Sequence, residues 1–170
     1  MSDLPGVDDA ALQEVTIRAA EARDLPAVVA LVRALADFEK LPGPDDDAAR
    51  RLADDFAAAR FSLFVAEAGA RVIGYALYFF TYSTFLARPS LYLEDLFVHP
   101  DARGRGIGER FMRALASEAA RRGCGRFEWT VLDWNVDAQK FYRRLGAEVL
   151  STWWTCRVTG DGLTQLASKP

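Results

Sequence analysis

A glycine-rich segment between an apolar run and the next predicted helix carries the clearest chemical signal in this sequence. Its residues, in chain order, are Arg103, Gly104, Arg105, Gly106, Ile107 and Gly108. Glycine permits a positive φ and lets a ligand approach the backbone closely. The free N–H groups at the start of a helix point at one place, with the positive end of the helix dipole behind them. With two arginines beside these groups, the segment is expected to cradle a pyrophosphate.

The glycine spacing by itself leaves an alternative open. A dinucleotide-binding fingerprint has the pattern G-x-G-x-x-G, and in this chain the third glycine comes one residue early. The sequence also lacks the pattern G-x-x-x-x-G-K-[ST] of a phosphate-binding loop. The alternative interpretation is a glycine-rich turn that carries two solvated arginines.

Two adjacent acids interrupt the apolar run that precedes the glycine-rich segment. Glu94 and Asp95 stand between Leu91-Tyr92-Leu93 and Leu96-Phe97-Val98. A regular strand would place the two carboxylates on opposite faces of a sheet. Acids in so apolar a run need a reason, because an unpaired buried charge is costly. The alternative is that both acids are solvated at a sheet edge.

Strands and helices alternate along the chain and must position these residues. Periodicity and turn residues predict a strand at 14–19, helices that begin at Asp24 and Asp45, strands at 61–66, 71–80 and 91–98, a helix at 107–121, a strand at 127–132, a helix at 138–145 and a last strand at 149–158. This order predicts a mixed α/β or α+β domain around one sheet. We expect residues 1–13 to be a disordered N-terminal tail and residues 14–170 to be a single domain.

Composition excludes several classes of protein. A net charge of −3 argues against nucleic acid as the main ligand. His99 is the single histidine, so a multi-histidine metal site is impossible. Two cysteines cannot build a disulfide framework, which favours a reducing compartment. No stretch approaches ~18 uninterrupted apolar residues, and the acidic start lacks a signal pattern. We therefore expect a cytoplasmic protein without a membrane partner.

A second motif follows the glycine-rich segment further along the chain. Asn135 is followed by Ala138, then by Phe141-Tyr142 and by Gly146-Ala147. This spacing resembles the N-x-x-A-x-x-F-Y-x-x-x-G-[FA] segment of the GCN5-related N-acetyltransferases. The acyl-CoA loop of that family has the pattern [QR]-x-x-G-x-[GA], and its fixed positions are filled here by Arg103, Gly106 and Gly108. Both motifs occur in the family's order.

The resemblance implies a fold, a reaction and a cofactor site. The fold would be a single, mostly antiparallel twisted sheet of about six to seven strands with about four flanking helices. The reaction would be direct attack of a small-molecule primary amine on acetyl-CoA in a ternary complex, without a metal. The residues implied in cofactor binding are Leu96, Phe97, Val98, the six residues Arg103, Gly104, Arg105, Gly106, Ile107 and Gly108, and also Asn135 and Tyr142. Asn135 has a second possible role as a helix cap.

A narrower resemblance concerns the substrate side. The segments 78–83, 91–98 and 38–40 are similar to the spermidine/spermine and thialysine acetyltransferase branch. The likeness implies that Phe38, Glu39, Glu94 and Asp95 contact the amine, and that the protein is a homodimer with its interface near Trp153-Trp154. The branch has acidic residues at the positions of Trp154 and, commonly, Ser83. Their loss favours a shorter amine, such as a lysine analogue, a diamine or an amino sugar, over a long polyamine.

The resemblance also implies two catalytic roles. An alkylammonium has a pKa near ~10.4, so forming the neutral amine at pH 7 costs about 4–5 kcal/mol. Glu94 would accept that proton, directly or through water, at a bulge that the family places in this strand. Tyr142 would protonate the departing thiolate. The alternative for Tyr142 is a packing role beside Phe141.

The sequence is also compatible with two other functions. The chain could be a non-catalytic acyl-CoA-binding module that has kept the cofactor loop. It could also acetylate an amine on a protein rather than on a small molecule. The presence of both Glu94 and Tyr142 favours an enzyme.

Overall fold

The computed structural model describes residues 4–169, so the first three residues of the predicted tail and Pro170 lie outside the described residues. Within that range the strands are β1 (Val15–Ala19), β2 (Ser62–Ala68), β3 (Arg71–Ser83), β4 (Arg88–Val98) and β5 (Arg126–Trp129). The helices are α1 (Leu25–Glu39), α2 (Asp46–Ala57), α3 (Ile107–Arg121), α4 (Val136–Arg144) and α5 (Asp161–Ala167). The chain forms two compact units. The first runs to Thr130 and holds the sheet with α1, α2 and α3, and the second starts at Val131 and holds α4 and α5.

The five strands of the described residues form one sheet in the order β1-β2-β3-β4-β5. The first three pairings are antiparallel, and β4 with β5 is parallel. The prediction of one mostly antiparallel sheet is therefore confirmed. The expected six to seven strands and four helices are wrong in number, because residues 4–169 contain five of each.

The predicted last strand at 149–158 accounts for part of this difference. No residue of that segment is in a strand within the described part of the chain, and a short helix, α5, follows it instead. Trp153 and Trp154 are 78% and 87% exposed, so their apolar pattern is not matched by burial. An apolar run becomes a strand only where a neighbouring strand completes its hydrogen bonds. Residues 149–158 are exposed and pair with no strand of the described residues.

The segment that precedes β1 makes defined contacts in the first unit. Residues Ala11–Gln13 form a 3-10 turn in which Leu12 is buried. Arg71 donates hydrogen bonds to the backbone carbonyls of Pro5 and Gly6. The domain boundaries expected from the sequence stay predictions.

Helix α1 packs on one face of the sheet. Its buried residues Leu25, Val28, Leu31 and Ala34 form a core cluster with side chains of three strands, namely Leu63, Val65, Tyr75, Leu77 and Phe97. The helix predicted to begin at Asp24 is thus confirmed as an element that packs on the sheet through one apolar face. The cluster fixes α1 over the middle of the sheet and carries its carboxyl end towards β4.

Helix α3 approaches the sheet closely at Gly74. A Cβ atom at this position would lie 2.8 Å from the carbonyl oxygen of Phe97 and 3.2 Å from the ring of Phe111 on α3. A glycine is therefore required there by space. This contact lets α3 pack tightly against the strands that precede the glycine-rich segment.

Acidic residues organise the starts of α1 and α2. Asp45 caps α2, as its position predicts, by accepting a hydrogen bond from the backbone N–H of Ala48 at 2.7 Å. Asp24 stands at the N-cap position of α1 but makes no side-chain cap bond within the described residues. Its carboxylate instead accepts two hydrogen bonds from Arg18, at 2.7 and 2.9 Å. Arg18 also donates to Glu67, so β1, β2 and the start of α1 share one ion network.

Among residues 4–169, none of the helices has the length and apolar character that crossing a membrane requires. The same residues contain no group of three or more His, Cys, Asp or Glu side chains that could hold a metal ion.

Candidate functional site

A β-bulge at Glu94 determines which face of the sheet the neighbouring residues occupy. Tyr78 pairs with Leu93 and Leu77 with Asp95, and Glu94 is skipped in this register. Cross-strand partners share a face, and successive residues of β3 alternate between faces. Leu93 and Asp95 consequently lie on opposite faces, whereas a regular strand would place both on one. The bulge expected in this strand is confirmed.

Asp95 lies on the α1 face of the sheet and Glu94 is exposed. The half-buried carboxylate of Asp95 accepts a hydrogen bond from the hydroxyl of Tyr75 at 3.3 Å. Burial, together with the charges of Glu94 and Glu39, raises the pKa of Asp95 to about 6, although the hydrogen bond from Tyr75 acts in the opposite direction. The interpretation that both acids are solvated therefore holds for Glu94 only.

The end of α1 supplies two of the predicted substrate residues. Phe38 and Glu39 form its last positions, and Lys40 ends the helix in a left-handed conformation. Burial raises the pKa of Glu39. The charge of Glu39 also acts on Asp95. The helix end thus brings a third carboxylate to the neighbourhood of the bulge.

Arg103 connects the glycine-rich loop to α1 and β4. Its guanidinium carbon lies 5.6 Å from the ring centroid of Phe38 and 5.3 Å from that of Phe97. Its Nε donates a hydrogen bond to the carbonyl of Val98 at 3.0 Å. Burial lowers the pKa of Arg103 from its ordinary value. These contacts hold the loop in place, a role that the sequence pattern did not suggest.

The loop after Arg103 has the backbone conformation that requires glycine. Gly104 and Gly106 both have φ of 74°. A Cβ atom on either would meet no heavy atom within 4 Å among the described residues, so the requirement is conformational and the surrounding space is open. Gly106 is the N-cap of α3, Ile107 is its buried first residue, and Gly108 follows in the first turn. The predicted helix start is confirmed.

Arg105, the second arginine of the loop, points towards the segment before β1. It forms an ion pair with Asp9 at 2.5 Å. Its side chain is 39% exposed. Both arginines of the loop are exposed, but Arg103 stacks on two rings whereas Arg105 pairs with an acid.

Strand β4 presents polar backbone groups beyond the point where β5 ends. The β4–β5 pairing runs as far as Leu93 with Trp129, whereas β4 continues to Val98. The N–H of His99 bonds the carbonyl of Ile73 at 2.8 Å, which makes this a hydrogen-bonded pair of the β3–β4 ladder. Hydrogen-bonded and non-hydrogen-bonded pairs alternate along such a ladder. The N–H and C=O groups of Leu96 and Val98 therefore point away from β3.

The second unit carries the other predicted site residues. Asn135 caps α4, because its Oδ1 accepts a hydrogen bond from the N–H of Ala138 at 3.2 Å. Tyr142 lies on α4 with its ring centroid 5.2 Å from that of Phe141. Burial raises the pKa of Tyr142 to about 12, so its phenol is protonated at neutral pH.

Four of the predicted site residues lie close together in the first unit. Phe38, Glu39, Asp95 and Arg103 cluster around the end of α1 and the α1 face of β4. Tyr75 was missed by the sequence analysis. The sequence shows only a tyrosine within the apolar run 71–80. The hydrogen-bond partner of that tyrosine depends on the register of β3 with β4, and the bulge at Glu94 determines this register.

The sequence matches the "Acetyltransferase (GNAT) family" over residues 28–147. A thialysine N-epsilon-acetyltransferase from Bos taurus is 38% identical over 170 residues, which cover 91% of this chain and 98% of the relative. An L-ornithine N5-acetyltransferase from Arabidopsis thaliana is 45% identical over 92 residues, which cover 54% of this chain and 40% of that protein. The solved structure of an aminoglycoside N-acetyltransferase in complex with CoA is 25% identical, with a TM-score of 0.73 over 85% of this chain and 95% of that one.

Proposed function

Since the chain belongs to the GNAT family and is an acetyltransferase, we propose that it transfers the acetyl group of acetyl-CoA to a primary amine of a small molecule. The observation that carries the proposal is the pair of features at the end of β4. An open strand edge and a glycine-capped helix start follow each other there along the chain. A thioester cofactor with a pantetheine arm and a pyrophosphate needs both.

The strand edge suits the pantetheine arm. The outward N–H and C=O groups of Leu96 and Val98 would pair with its amides, as in strand addition. The carbonyl of Val98 already accepts from Arg103, so the N–H of Val98 and both groups of Leu96 are the expected contacts. Asn135 would bond a pantetheine amide through its side-chain N–H₂, because its Oδ1 caps α4.

The glycine-rich loop suits the pyrophosphate. Gly104 and Gly106 have positive φ, open space surrounds both positions, and the first N–H groups of α3, which have no partner within the helix, begin there. Anions are stabilised at such a helix start. The exposed guanidinium of Arg105 adds a positive charge, whereas Arg103 keeps the loop attached to Phe38 and Phe97. We assign cofactor binding to this segment, with Phe97 and Ile107 as its packing support.

The proposed chemistry separates two proton transfers. Exposed Glu94, at the bulge, accepts the proton of the ammonium group directly or through water. Tyr142 donates its phenolic proton to the leaving thiolate, since its pKa of about 12 keeps it protonated throughout the neutral range. The amine nitrogen attacks the thioester carbonyl, so the acyl group passes to the acceptor without an enzyme-bound covalent intermediate.

The acidic groups around the bulge favour a cationic acceptor. The charges of Glu39 and Glu94 both act on Asp95, and an ammonium group would relieve this repulsion. Ser83 is buried, and its Oγ accepts a hydrogen bond from Leu86 at 3.3 Å, so it offers no anionic contact to a long polyamine. The named relatives act on thialysine and ornithine. We propose the terminal amine of a lysine-like or ornithine-like molecule as the acceptor, with diamines and amino sugars next.

A panel assay tests this proposal. Release of free CoA from acetyl-CoA is measured with thialysine, lysine, ornithine, putrescine, spermidine, an amino sugar and a lysine-containing peptide. Turnover is expected to be fastest with the short amino-acid amines. Fast turnover of the peptide alone would assign a protein acceptor, and acetyl-CoA binding without turnover of any amine would support a binding module instead.

The homodimer and the cytoplasmic location remain proposals drawn from the resemblance and the composition. For the dimer, the exposed Trp153 and Trp154 are the candidate interface residues. Light scattering at micromolar concentration is expected to give twice the chain mass of 18.8 kDa. Serine at both positions is expected to lower that mass, and a monomer mass for the wild-type protein would contradict the dimer.

A further inference from the structure

We propose that Tyr75 is a positioning residue, which holds one oxygen of Asp95 so that the other oxygen can bind the ammonium group of the acceptor. The inference rests on the proposed function, because it assigns a role within the same amine site. It adds a residue from the middle of β3 that neither sequence motif contains.

The surroundings of Tyr75 limit where its hydroxyl can find a partner. The side chain is fully buried, and its partners in the ladder are Val65 on β2 and Phe97 on β4. A hydroxyl in such an apolar cluster is costly unless it is hydrogen-bonded. The hydroxyl donates to Oδ2 of Asp95 at 3.3 Å. Burial raises the pKa of Tyr75 well above its ordinary value, so it remains a donor.

The bulge at Glu94 creates this contact. Tyr75 pairs with Phe97 and Leu77 with Asp95, so Tyr75 and Asp95 are diagonal neighbours on the α1 face. Without the extra residue, Asp95 would share the face of Leu93 and could not reach Tyr75. The same irregularity that exposes Glu94 therefore delivers Asp95 to a buried donor.

The length of the bond fits a site that tightens on binding. A hydroxyl donor usually lies about 2.7–2.8 Å from its acceptor. The observed 3.3 Å is longer. Catalytic hydrogen bonds are often long before the substrate is bound and shorten in the complex. An ammonium group beside Asp95 would favour its ionised form, which is the stronger acceptor.

The charges that face Asp95 make the role of Tyr75 necessary. Glu94 lies next to it on β4 and Glu39 faces it from α1, and both disfavour its ionised form. Tyr75, from β3, acts in the opposite direction. The guanidinium of Arg103 is stacked on the rings of Phe97 and Phe38. Loss of the phenol should therefore raise the pKa of Asp95 and leave less of the carboxylate ionised near pH 6–7.

The test compares Tyr75→Phe with Tyr78→Phe. Tyr78 is also buried on β3 but faces the opposite side of the sheet, so its variant measures the general cost of losing a buried hydroxyl. With the best amine of the panel, Tyr75→Phe is expected to raise KM for the amine about three- to tenfold. kcat at pH 8 and the affinity for acetyl-CoA should change little. The acidic limb of kcat/KM should move to higher pH, and Tyr78→Phe should leave it in place.

A double mutant isolates the pathway through Asp95. In an Asp95→Asn background, Tyr75→Phe is expected to have no further effect on KM for the amine or on the pH profile. Wild-type pH dependence in Tyr75→Phe, or an undiminished effect of Tyr75→Phe when Asp95 is already asparagine, would overturn the proposal.

A binding-independent measurement separates this proposal from the proposed function. The carboxyl carbon of Asp95 is titrated by 13C NMR in the ligand-free protein, for the wild type, Tyr75→Phe and Tyr78→Phe. An upward pKa shift in Tyr75→Phe alone supports the positioning contact even if no amine of the panel is turned over. Identical titration in all three proteins refutes it even if the enzyme acetylates an amine as proposed.

Discussion

Leu93 and Asp95 present their side chains to opposite faces of the sheet, although a single residue separates them. Leu93 is buried on one face, whereas Asp95 stands with Phe97 on the face that α1 covers. The second half of β4 thereby turns both Asp95 and the core residue Phe97 towards α1. Glu94 stands at the crossover and is exposed. One extra residue therefore decides which face of the sheet Asp95 occupies.

Replacement of Glu94 by glutamine tests its role as the base. Glutamine keeps the size and polarity of the side chain but cannot accept the proton of the ammonium group. We expect activity near pH 7 to fall and the acidic limb of the pH–rate profile to move, because the amine must then lose its proton to bulk solvent. Glu14→Gln, another exposed glutamate in the first unit, is the control. If the profile of Glu94→Gln is unchanged, the base is reassigned, with Asp95 or a water chain next.

Replacement of Tyr142 by phenylalanine removes the proposed acid but keeps the ring next to Phe141. General acid catalysis is typically worth ~10²–10⁴-fold, or about 3–5 kcal/mol of the barrier. kcat should fall by that range in steady-state assays, and acetyl-CoA affinity should change little. Exposed Tyr82, changed to phenylalanine, is the matched control. An activity of Tyr142→Phe within about threefold of wild type would leave this residue a packing role only.

Two substitutions at Gly106 distinguish backbone conformation from space. Asparagine adopts a positive φ at modest cost, whereas a β-branched residue does so only under strain. Since the position has φ of 74°, Gly106→Val is expected to weaken acetyl-CoA binding at least tenfold by calorimetry, about 1.4 kcal/mol or more. If backbone conformation dominates, Gly106→Asn should bind acetyl-CoA more tightly than Gly106→Val. If the cofactor contacts the backbone directly, both variants should lose affinity for acetyl-CoA.

A control for Gly106 exists at the other end of α3. Gly123 has a φ of 67°, and no heavy atom of the described residues lies within 4 Å of an added Cβ. Gly123→Val should therefore lower stability without changing affinity for acetyl-CoA. Wild-type affinity in Gly106→Val would show that the cofactor binds elsewhere.

The ion network at Asp24 predicts a pH-dependent stability. Hydrogen bonds from Arg18 hold the pKa of Asp24 below its ordinary value, so this stabilisation is complete above the unfolded pKa of about 3.9 and is lost as the pH falls through the folded one. Asp24→Asn is expected to lower the free energy of unfolding by about 2–3 kcal/mol at pH 7. Urea titrations should show this difference shrinking below about pH 4.

An exposed pair provides the comparison for Asp24. Asp55 forms a surface ion pair with Arg60 at 3.0 Å. Asp55→Asn should cost no more than about 1 kcal/mol at pH 7, since exposed pairs contribute little. Equal losses in the two variants, or a loss in Asp24→Asn that stays constant down to pH 2, would contradict the network argument.

Local signals predicted most elements of the first unit, and tertiary contacts decided the rest. Glycines at both ends and an apolar stripe placed α3 at 107–121, where the structure has it. The apolar segment 149–158 carries the composition of a strand, yet its fate depends on a partner that no local pattern reveals.

In the candidate site, too, local signals predicted some residues and tertiary contacts determined the others. Residue type and spacing predicted the loop around Gly106, because positive φ and helix capping are local properties. The contacts between Tyr75 and Asp95, and those of Arg103 with Phe38 and Phe97, join residues far apart in the chain. They follow from register and packing, which the sequence alone does not specify.

The short parallel pairing of β4 with β5 has a consequence for how the protein reaches its native state. Strands β2, β3 and β4 are joined by short turns, whereas β5 returns to β4 only after α3 has crossed the sheet. Strand pairings that close long loops form late, because the loop loses conformational entropy before the new contacts contribute stability. We therefore expect the three-strand meander to assemble first and Leu91, Leu93 and their β5 partners to dock afterwards. Among the strands of the described residues, β5 has the fewest ladder pairs, four with β4, so we expect it to be the first strand to leave the sheet, and hydrogen exchange there should outpace exchange in β3.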